Sequence, residues 1–365
     1  MRLQKLDRIL EERDVKNAII IGGANIFYLT GYDYISTDFA NTVALIYNDS
    51  VPILVVPVLE KNRAQSKVGD KIEIVAYSSY QVSDDVIRGS LVDVISRYIE
   101  TDRRIAIDML YSGSMFYLSL SKKISSENLV DVSKDFYIIR AKKEPEELEL
   151  IKKAGDITSS AMKISSEKIH EESVSEKQLA GLIDMTMRNE GAEEYAFSSI
   201  VAFAENSAFP HHIPTDRTIK NGENAVIDIG ARYNNYCFDS TRTFVKSNND
   251  EVKKVYEIVL QAQEEAIDAV RDGTRASEID RIARNVIEKA GYGKYFVHST
   301  GHGVGIEIHE YPSISLSSDA ILEENMVITV EPGIYLKGKF GIRIEDTIIL
   351  TKKKPIVLET IYKYL

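Results

Sequence analysis

Four acidic residues interrupt two apolar segments that otherwise have the composition of buried β-hairpins. Asp228 and Asp239 belong to "VIDIGARYNNYCFDSTRT", and Glu331 and Glu345 belong to "VEPGIYLKGKFGIRIEDT". A buried carboxylate without a partner costs several kcal/mol of folding free energy. One acid of this kind could be an edge or turn residue, but four acids at matching places indicate a shared partner of opposite charge.

The predicted turns bring these acids face to face in pairs. A turn centred between Tyr233 and Asn234 pairs the two aspartates, and a turn centred on Gly338 pairs the two glutamates. Like charges directly opposed on a sheet destabilise it, and each raises the pKa of the other. Two divalent cations would neutralise four carboxylates, so the pattern predicts a site for two metal ions.

Five of the six histidines could add nitrogen ligands to such a site, although each one alone could equally be a packed or surface histidine. They are His211, His212, His298, His302 and His309. The last three lie in "HSTGHGVGIEIHE", whose glycines would let the backbone approach a crowded centre. A phosphate-binding loop is the alternative, but the spacing is not G-x-G-x-x-G, and "GIEIHE" is predicted to continue as a strand rather than a helix.

Alternating strands and helices are predicted for about the first 135 residues, as in an α/β layer domain. A polar break follows, and a long helix is predicted to start near Pro145. We therefore place the domain boundary so that residues 1–136 form the first domain and residues 137–365 the second. The apolar strand patterns of the first domain begin at Asn17, Thr42, Val51, Lys71 and Arg103.

The second domain contains an apparent internal repeat. "ENAVIDIG" at Glu223 returns as "ENMVITVEPG" at Glu324, an offset of 101 residues, and the helix opening at Ser175 returns at Ser277, an offset of 102. Chance similarity between short amphipathic patterns is the alternative. A true repeat predicts an α+β unit of two pseudo-symmetric halves, each with one or two helices and a hairpin that carries two of the acids.

Composition and charge exclude several classes of function. The formal charge of −11 and a pI near 5.2 disagree with a surface for nucleic acid or anionic membranes, which needs clustered Lys and Arg. A single cysteine, Cys237, excludes an internal disulfide framework. The first predicted helix is charged and amphipathic rather than an apolar signal or spanning segment. We expect a soluble, cytoplasmic protein.

Four motifs together resemble those of a known family. They are "VIDIGARYNNYCFDSTRT", "HSTGHGVGIEIHEYP", "TVEPGIY" and "GIRIEDT", in that order. The family is that of the dinuclear metallopeptidases with the pita-bread fold, which includes prolidase, aminopeptidase P and methionine aminopeptidase. "NIFYLTGY" resembles the N-terminal domain of the first two. The resemblance covers essentially the whole chain and implies an α/β creatinase-like domain followed by an α+β pseudo-symmetric pita-bread catalytic domain.

The resemblance also implies roles for the candidate residues. Asp239 and Glu345 would bridge the two ions, and Glu331 would also move a proton. His211, His298 and His309 would contact the substrate and its oxyanion. Arg343 would orient a ligand carboxylate or bind substrate, with a surface salt bridge as the alternative. The full set of implied metal ligands is Asp228, Asp239, His302, Glu331 and Glu345.

This implied ligand set suits Mn(II) or Co(II), because carboxylate-rich coordination with one imidazole differs from the nitrogen and sulfur ligands of structural zinc. A hydroxide bridging the two ions would attack the scissile amide. The resemblance implies short proline-containing peptides as substrates, Xaa-Pro dipeptidase activity and a homodimer.

One departure from the family keeps Xaa-Pro aminopeptidase activity open. Dipeptidases of this family often carry an arginine between "HEYP" and "VEPG" that binds the free carboxylate of the substrate, but residues 313–330 contain none. His298, Arg343 or a residue from the N-terminal domain of a second subunit could supply that charge. A metal-free, creatinase-like hydrolase and an inactive binding protein would have the same fold. Ligand-competent side chains at all five implied positions disfavour both of these hypotheses.

Overall fold

The chain forms two compact units in the computed structural model of the protein, Met1–Arg140 and Ala141–Leu365. The structure describes residues 2–33, 41–171, 174–358, 361 and 363. The two units divide four residues after the boundary placed from the sequence, at the end of the helix Ser133–Ala141. Among the helices of the described residues, none is long and apolar enough to cross a membrane.

Seven strands form one sheet in the first unit: β1 (Asn17–Ile20), β2 (Ala44–Asn48), β3 (Val51–Pro57), β4 (Glu73–Ser78), β5 (Val86–Arg88), β6 (Ile105–Ile107) and β7 (Leu129–Asp131). Their order is β5-β4-β3-β2-β1-β6-β7. β2 runs antiparallel to β1 and β3, and all other neighbours are parallel. The predicted α/β class is confirmed. Among these seven strands, the two edge strands, β5 and β7, lack a sequence prediction; each has three residues, of which one is buried, whereas β6 is buried at all three positions.

Six helices within the described residues accompany this sheet: α1 (Leu3–Glu12), α2 (Gly23–Thr30), α3 (Lys61–Val68), α4 (Leu91–Tyr98), α5 (Ser114–Leu120) and α6 (Ser133–Ala141). Local sequence sets their ends; for example, Ser90 and Asp93 form a capping box at the start of α4. β1 is buried at every position, as expected for a central strand covered on both faces.

The second unit has four helices within the described residues: α7 (Pro145–Lys168), α8 (Glu176–Asn189), α9 (Asp250–Ala269) and α10 (Ala276–Lys289). The predicted helix start at Pro145 is confirmed, with proline in the first turn and Glu144 in a capping box. α8 and α10 both have 14 residues, and each follows a longer helix. This recurrence confirms the predicted pseudo-symmetric halves.

Each half of the second unit also contributes strands around a hairpin. The strands are β8 (Glu194–Tyr195), β9 (Ile200–Phe203), β10 (Glu223–Ile229), β11 (Ala231–Tyr233), β12 (Tyr236–Cys237), β13 (Ser240–Lys246), β14 (Gly301–Gly303), β15 (Glu310–Ile314), β16 (Val327–Val330), β17 (Gly333–Leu336), β18 (Phe340–Arg343), β19 (Asp346–Ile349) and β20 (Ile356–Val357). In the first half, β10 pairs with β9 and β13, and β11 pairs with β8 and β12. In the second half, one sheet has the order β15-β14-β16-β19-β20, and β17 pairs with β18.

Candidate metal centre

The register of the first hairpin differs from the predicted one. Asp228 lies opposite Thr241 rather than opposite Asp239. Asn234 and Asn235 both have positive φ, 45° and 68°, which is the conformation of a two-residue type I′ turn. The turn is therefore centred one residue later than predicted. Because Asp239 lies two residues before Thr241, it is a diagonal rather than a direct neighbour of Asp228.

The register predicted for the second hairpin is confirmed in the ladders on both sides of its two acids. Gly333 pairs with Arg343 between β17 and β18, and the same register continues between β16 and β19. Glu331 and Glu345 lie between these two ladders at opposing positions. The backbone N–H of Glu345 donates to the carbonyl of Thr241 at 3.0 Å, which joins the second hairpin to the first.

Three of the five candidate ligands lie in one compact group. Asp239, His302 and Glu345 each offer one ligand atom, and these atoms all lie within 4.8 Å of one another. Glu331 adjoins the group, since its Oε1 is 3.5 Å from His302 Nε2. The same distance separates His302 Nε2 from Asp239 Oδ2. Asp228 lies outside this compact group.

Buried carboxylate oxygens at this site have no hydrogen-bond donor among the described residues. These atoms are Asp228 Oδ1, Asp239 Oδ1 and Glu345 Oε1. Burial, together with the charges of Asp228 and Glu331, raises the pKa of Asp239 well above its ordinary value. Burial and the charge of Asp239 do the same for Glu345. Cations would supply the missing partners and relieve this repulsion, so the residues fit divalent metal ions.

The imidazole of His302 is oriented as a metal ligand requires. Its Nδ1 lies 3.0 Å from the carbonyl oxygen of Gly303. Because a carbonyl only accepts, Nδ1 carries the proton, and in the neutral ring Nε2 keeps its lone pair toward the carboxylates. The backbone N–H of His302 donates to Thr329 Oγ1 at 3.1 Å.

The strand predicted for "GIEIHE" is wrong. β14 ends at Gly303, residues 304–309 form a bend, and β15 begins at Glu310. A Cβ at Gly305 would lie 2.4 Å from Glu310 Oε2, so any other residue at this position would have to displace that carboxylate. The bend brings His309 against His302, with ring centroids 4.3 Å apart in an edge-to-face arrangement.

Arg343 connects Asp228 to the rest of the site. The guanidinium is buried, and its Nη2 donates to Asp228 Oδ2. Its Nε donates to Thr241 Oγ1 at 3.1 Å, and its Nη1 donates to the Tyr335 hydroxyl at 2.9 Å. Thr241 in turn donates to Glu345 Oε2 at 2.7 Å. The surface salt bridge considered for Arg343 is wrong, because this bridge is buried.

His298 has partners within the protein at both ring nitrogens. Nδ1 lies 2.7 Å from the carbonyl of Ser299, and Nε2 lies 2.8 Å from the Tyr335 hydroxyl. Nδ1 therefore carries the proton, and in the neutral ring Nε2 accepts from the hydroxyl. The ring supports Tyr335 and, through it, Arg343.

His309 and His211 are both exposed residues. Partial burial of the His309 ring lowers its pKa, and the neighbouring His302 lowers it further, which favours the neutral ring near pH 7. His309 joins the site through its contact with His302, and the charge of His211 acts on His309 in the same direction as that of His302.

Sequence reasoning misses Tyr335 and Thr241, and it also misses two buried acids that hold the histidine-bearing loops. Glu176, at the start of α8, accepts hydrogen bonds from the backbone N–H groups of Phe203 and Thr215. It also lies 2.9 Å from His212 Nε2. Asp280, in α10, accepts from the backbone of Thr300. Both acids lie in the helix openings that repeat along the chain, but the repeat aligns Glu176 with Glu278 rather than with Asp280, so it does not identify the pair.

Comparisons with known proteins cover almost the whole chain. Residues 149–352 match metallopeptidase family M24, and residues 2–142 match the creatinase/prolidase N-terminal domain. An Xaa-Pro dipeptidase of Pyrococcus furiosus is 36% identical over 354 residues, which cover 96% of this chain and 95% of that relative.

Solved structures give the same result. A prolidase of Thermococcus sibiricus is 35% identical, with a TM-score of 0.89, and the match covers 100% of this chain and 97% of that one. An X-Pro aminopeptidase of Thermotoga maritima is 32% identical, with a TM-score of 0.83 and 98% of both chains covered. The protein therefore belongs to metallopeptidase family M24, as its four motifs predict.

Proposed function

We propose that the protein is an Xaa-Pro dipeptidase, which hydrolyses the bond between an N-terminal residue and proline. The observation that carries this proposal is the group of buried carboxylates around His302, with oxygens that have no donor among the described residues. Relatives named Xaa-Pro dipeptidase and prolidase, similar over nearly their whole length, support the substrate class.

As a member of a metallopeptidase family, the protein works with divalent metal ions. We propose that it holds two, since two divalent ions balance four carboxylates, and that Mn(II) or Co(II) suits this oxygen-rich donor set. When bound, such ions lower the pKa of coordinated water and polarise the scissile carbonyl. The proposed ligands are Asp228, Asp239, His302, Glu331 and Glu345.

The remaining chemistry is proposed for side chains that face the substrate. Glu331 would take a proton during attack and return it to the leaving amine, and its side chain is more exposed than that of Asp239, at 17% against 7%. His309, whose pKa is lowered by partial burial, would donate an N–H to the developing oxyanion, and His211 would act with it. Arg343 would fix Asp228 in place directly, and His298 would support Arg343 through Tyr335.

Xaa-Pro aminopeptidase activity is a second candidate function. Residues 313–330 carry no arginine for the free carboxylate of a dipeptide, and Arg343 and His298 already have partners within the protein. An enzyme without a dedicated carboxylate partner would accept Xaa-Pro-Yaa peptides as readily as dipeptides. The 32% identical X-Pro aminopeptidase supports this alternative.

A peptide panel separates the two candidates. Chelated protein is reloaded with Mn(II), Co(II) or Zn(II) and assayed on Xaa-Pro, Xaa-Pro-Yaa and Met-Ala-Yaa. We expect Xaa-Pro cleavage only after reloading. Cleavage of Xaa-Pro-Yaa with dipeptides left intact would assign the aminopeptidase function, and release of methionine alone would contradict both. Size-exclusion chromatography tests the proposed homodimer.

A further inference from the structure

A second network of buried charges lies behind the carboxylate group. Thr241 faces the carboxylates, and strand alternation directs the next residue, Arg242, to the opposite side. Glu345 and Asp346 are related in the same way in the second hairpin. Arg242 and Asp346 form an ion pair of 2.8 Å, and their side chains are only 1% and 0% exposed.

Arg242 ties this network to the backbone that carries the candidate ligands. Its Nη1 donates to the carbonyl oxygen of Thr241 at 2.9 Å and also to the carbonyl oxygen of Glu345. The carbonyl of Thr241 is the same one that accepts the backbone N–H of Glu345. The guanidinium therefore holds the point at which the two hairpins join.

Residues near the C-terminus complete the network. The carbonyl of Ile361 accepts from Arg242 Nη2 and Nε at 3.2 and 3.3 Å. The ammonium group of Lys363 pairs with Asp346 Oδ2, which also accepts from Gln263 at 2.9 Å. Lys363 Nζ donates to Gln263 Oε1 at 2.9 Å as well. Asp346 is thus held between two cations and an amide.

A buried ion pair repays its desolvation only when further hydrogen bonds satisfy both partners. Ile361 and Lys363 supply such bonds from outside the hairpins. Among the described residues, loss of the Lys363 charge would leave the Asp346 carboxylate with Arg242 and Gln263 as its partners, so the Arg242–Asp346 ion pair would shift toward a new arrangement. Arg242 could then no longer hold the Glu345 carbonyl in the same position.

We propose that Lys363 is a positioning residue of the metal centre, which acts through Asp346 and Arg242 to keep Glu345 in its metal-binding geometry. This inference rests on the proposed role of Glu345 as a metal ligand. Partners that orient metal ligands from outside the coordination sphere commonly change metal affinity by about 10- to 100-fold. Lys363 acts on the ligand through two intervening residues rather than directly, so we expect a change in metal affinity at the lower end of that range.

The test compares Lys363→Met, which keeps the apolar stem and removes the charge, with Lys363→Arg, which keeps the charge. The matched control is Lys354→Met, because Lys354 forms a 3.9 Å pair with Asp268 in which both side chains are exposed. Each full-length variant is chelated and titrated with Co(II) by calorimetry. The Co(II) absorption spectrum, kcat and KM on Xaa-Pro, and thermal unfolding are then measured.

We expect Lys363→Met to raise the Kd for Co(II) about 10-fold, to alter the Co(II) absorption bands and to lower kcat more than it raises KM. Lys363→Arg should restore most of the affinity, and Lys354→Met should match the unchanged protein. If Lys363→Met does not fold, Lys363→Gln serves in its place and should show a weaker loss of affinity.

An unchanged Kd and spectrum in the charge-removing variant would overturn the inference, even if its unfolding temperature were lower, because the contact would then serve stability alone. Failure of the unchanged protein to bind Co(II) is a different result. It would contradict the proposed metal centre itself and the inference with it.

Discussion

Both compact units bury acidic side chains, but the surroundings of these acids differ. Asp108 in the first unit is fully buried and accepts three hydrogen bonds of 2.9 Å, from the backbone of Ile21 and Gly22 and from the side chain of Asn25. In the second unit, Asp239 and Glu345 are as deeply placed, yet each keeps an oxygen without a donor among the described residues.

The difference shows that burial alone does not mark a functional acid. Burial raises the pKa of Asp108 to about 6, and its three donors limit the rise. The acids of the second unit have fewer donors and more negative neighbours, so burial and repulsion raise their pKa values, and the positive charges of Arg343 and His302 offset only part of the rise. A fold keeps a destabilising arrangement of this kind only if something else binds there.

The largest expected effect comes from removing a proposed bridging charge. Asp239→Asn should reduce turnover by at least about 1000-fold and lower the bound metal, because the substitution removes the negative charge of a ligand that we propose both ions share. Metal analysis of the purified variant and assays on Xaa-Pro check this. Full turnover in Asp239→Asn would contradict the assignment of Asp239 as a metal ligand, and full turnover in exhaustively chelated protein would contradict the metal centre itself.

The next prediction tests whether His309 faces the substrate or binds metal. His309→Ala should lower kcat by about 100- to 1000-fold, as expected for the loss of an oxyanion donor, while metal content stays unchanged. Calorimetric titration with Co(II) alongside the assay distinguishes the two roles. Loss of metal from His309→Ala would show that the ring belongs to the ligand set instead.

Sequence patterns predict the parts of this site that depend on local structure. Alternation and the internal repeat predict the fold class, and the turn at Gly338 predicts the correct register of the second hairpin. The first register failed because two candidate turns differ by one residue, and the Asn234–Asn235 pair, which tolerates positive φ, decides between them.

The support of the site depends on contacts that no local pattern contains. Thr241 meets Arg343 and Glu345 across more than 100 residues of chain, and Arg242 meets Ile361 across 119. Such contacts follow from how the two halves pack, since each residue looks like an ordinary strand position in its own segment. The bend at residues 304–309 passes Glu310, whose carboxylate pairs with Lys143 across 167 residues.

A smaller effect, on stability rather than on activity, is expected for the buried acid of the first unit. Asp108→Ala should lower the free energy of unfolding by about 2–4 kcal/mol, because three buried donors lose their acceptor. Metal content and kcat should remain within about twofold of the unchanged protein. Chemical denaturation with metal analysis checks both parts, and a loss of metal in this variant would contradict the assignment of Asp108 as a structural acid.

The smallest expected effect is a change in the free energy of unfolding caused by Asp239→Asn, and the sign of this change depends on whether metal is bound. Folding raises the pKa values of Asp239 and Glu345 above their ordinary values near 4. At any pH between the ordinary and the raised pKa, the folded state therefore binds more protons than the unfolded state. The free energy of unfolding of metal-free protein should therefore fall as pH rises through that interval.

Asp239→Asn removes one of these titrating groups and the repulsion it causes. The free energy of unfolding of its metal-free form should equal that of the metal-free unchanged protein near pH 4 and exceed it at pH 8, because only the unchanged protein must then ionise the buried carboxyl. With divalent ions present, the unchanged protein should be more stable than Asp239→Asn, because the ions stabilise only the protein that binds them. Urea denaturation at both pH values, with and without Co(II), measures the four cases. A metal-free Asp239→Asn that is less stable at pH 8 would mean that Asp239 is satisfied in the folded protein, as Asp108 is.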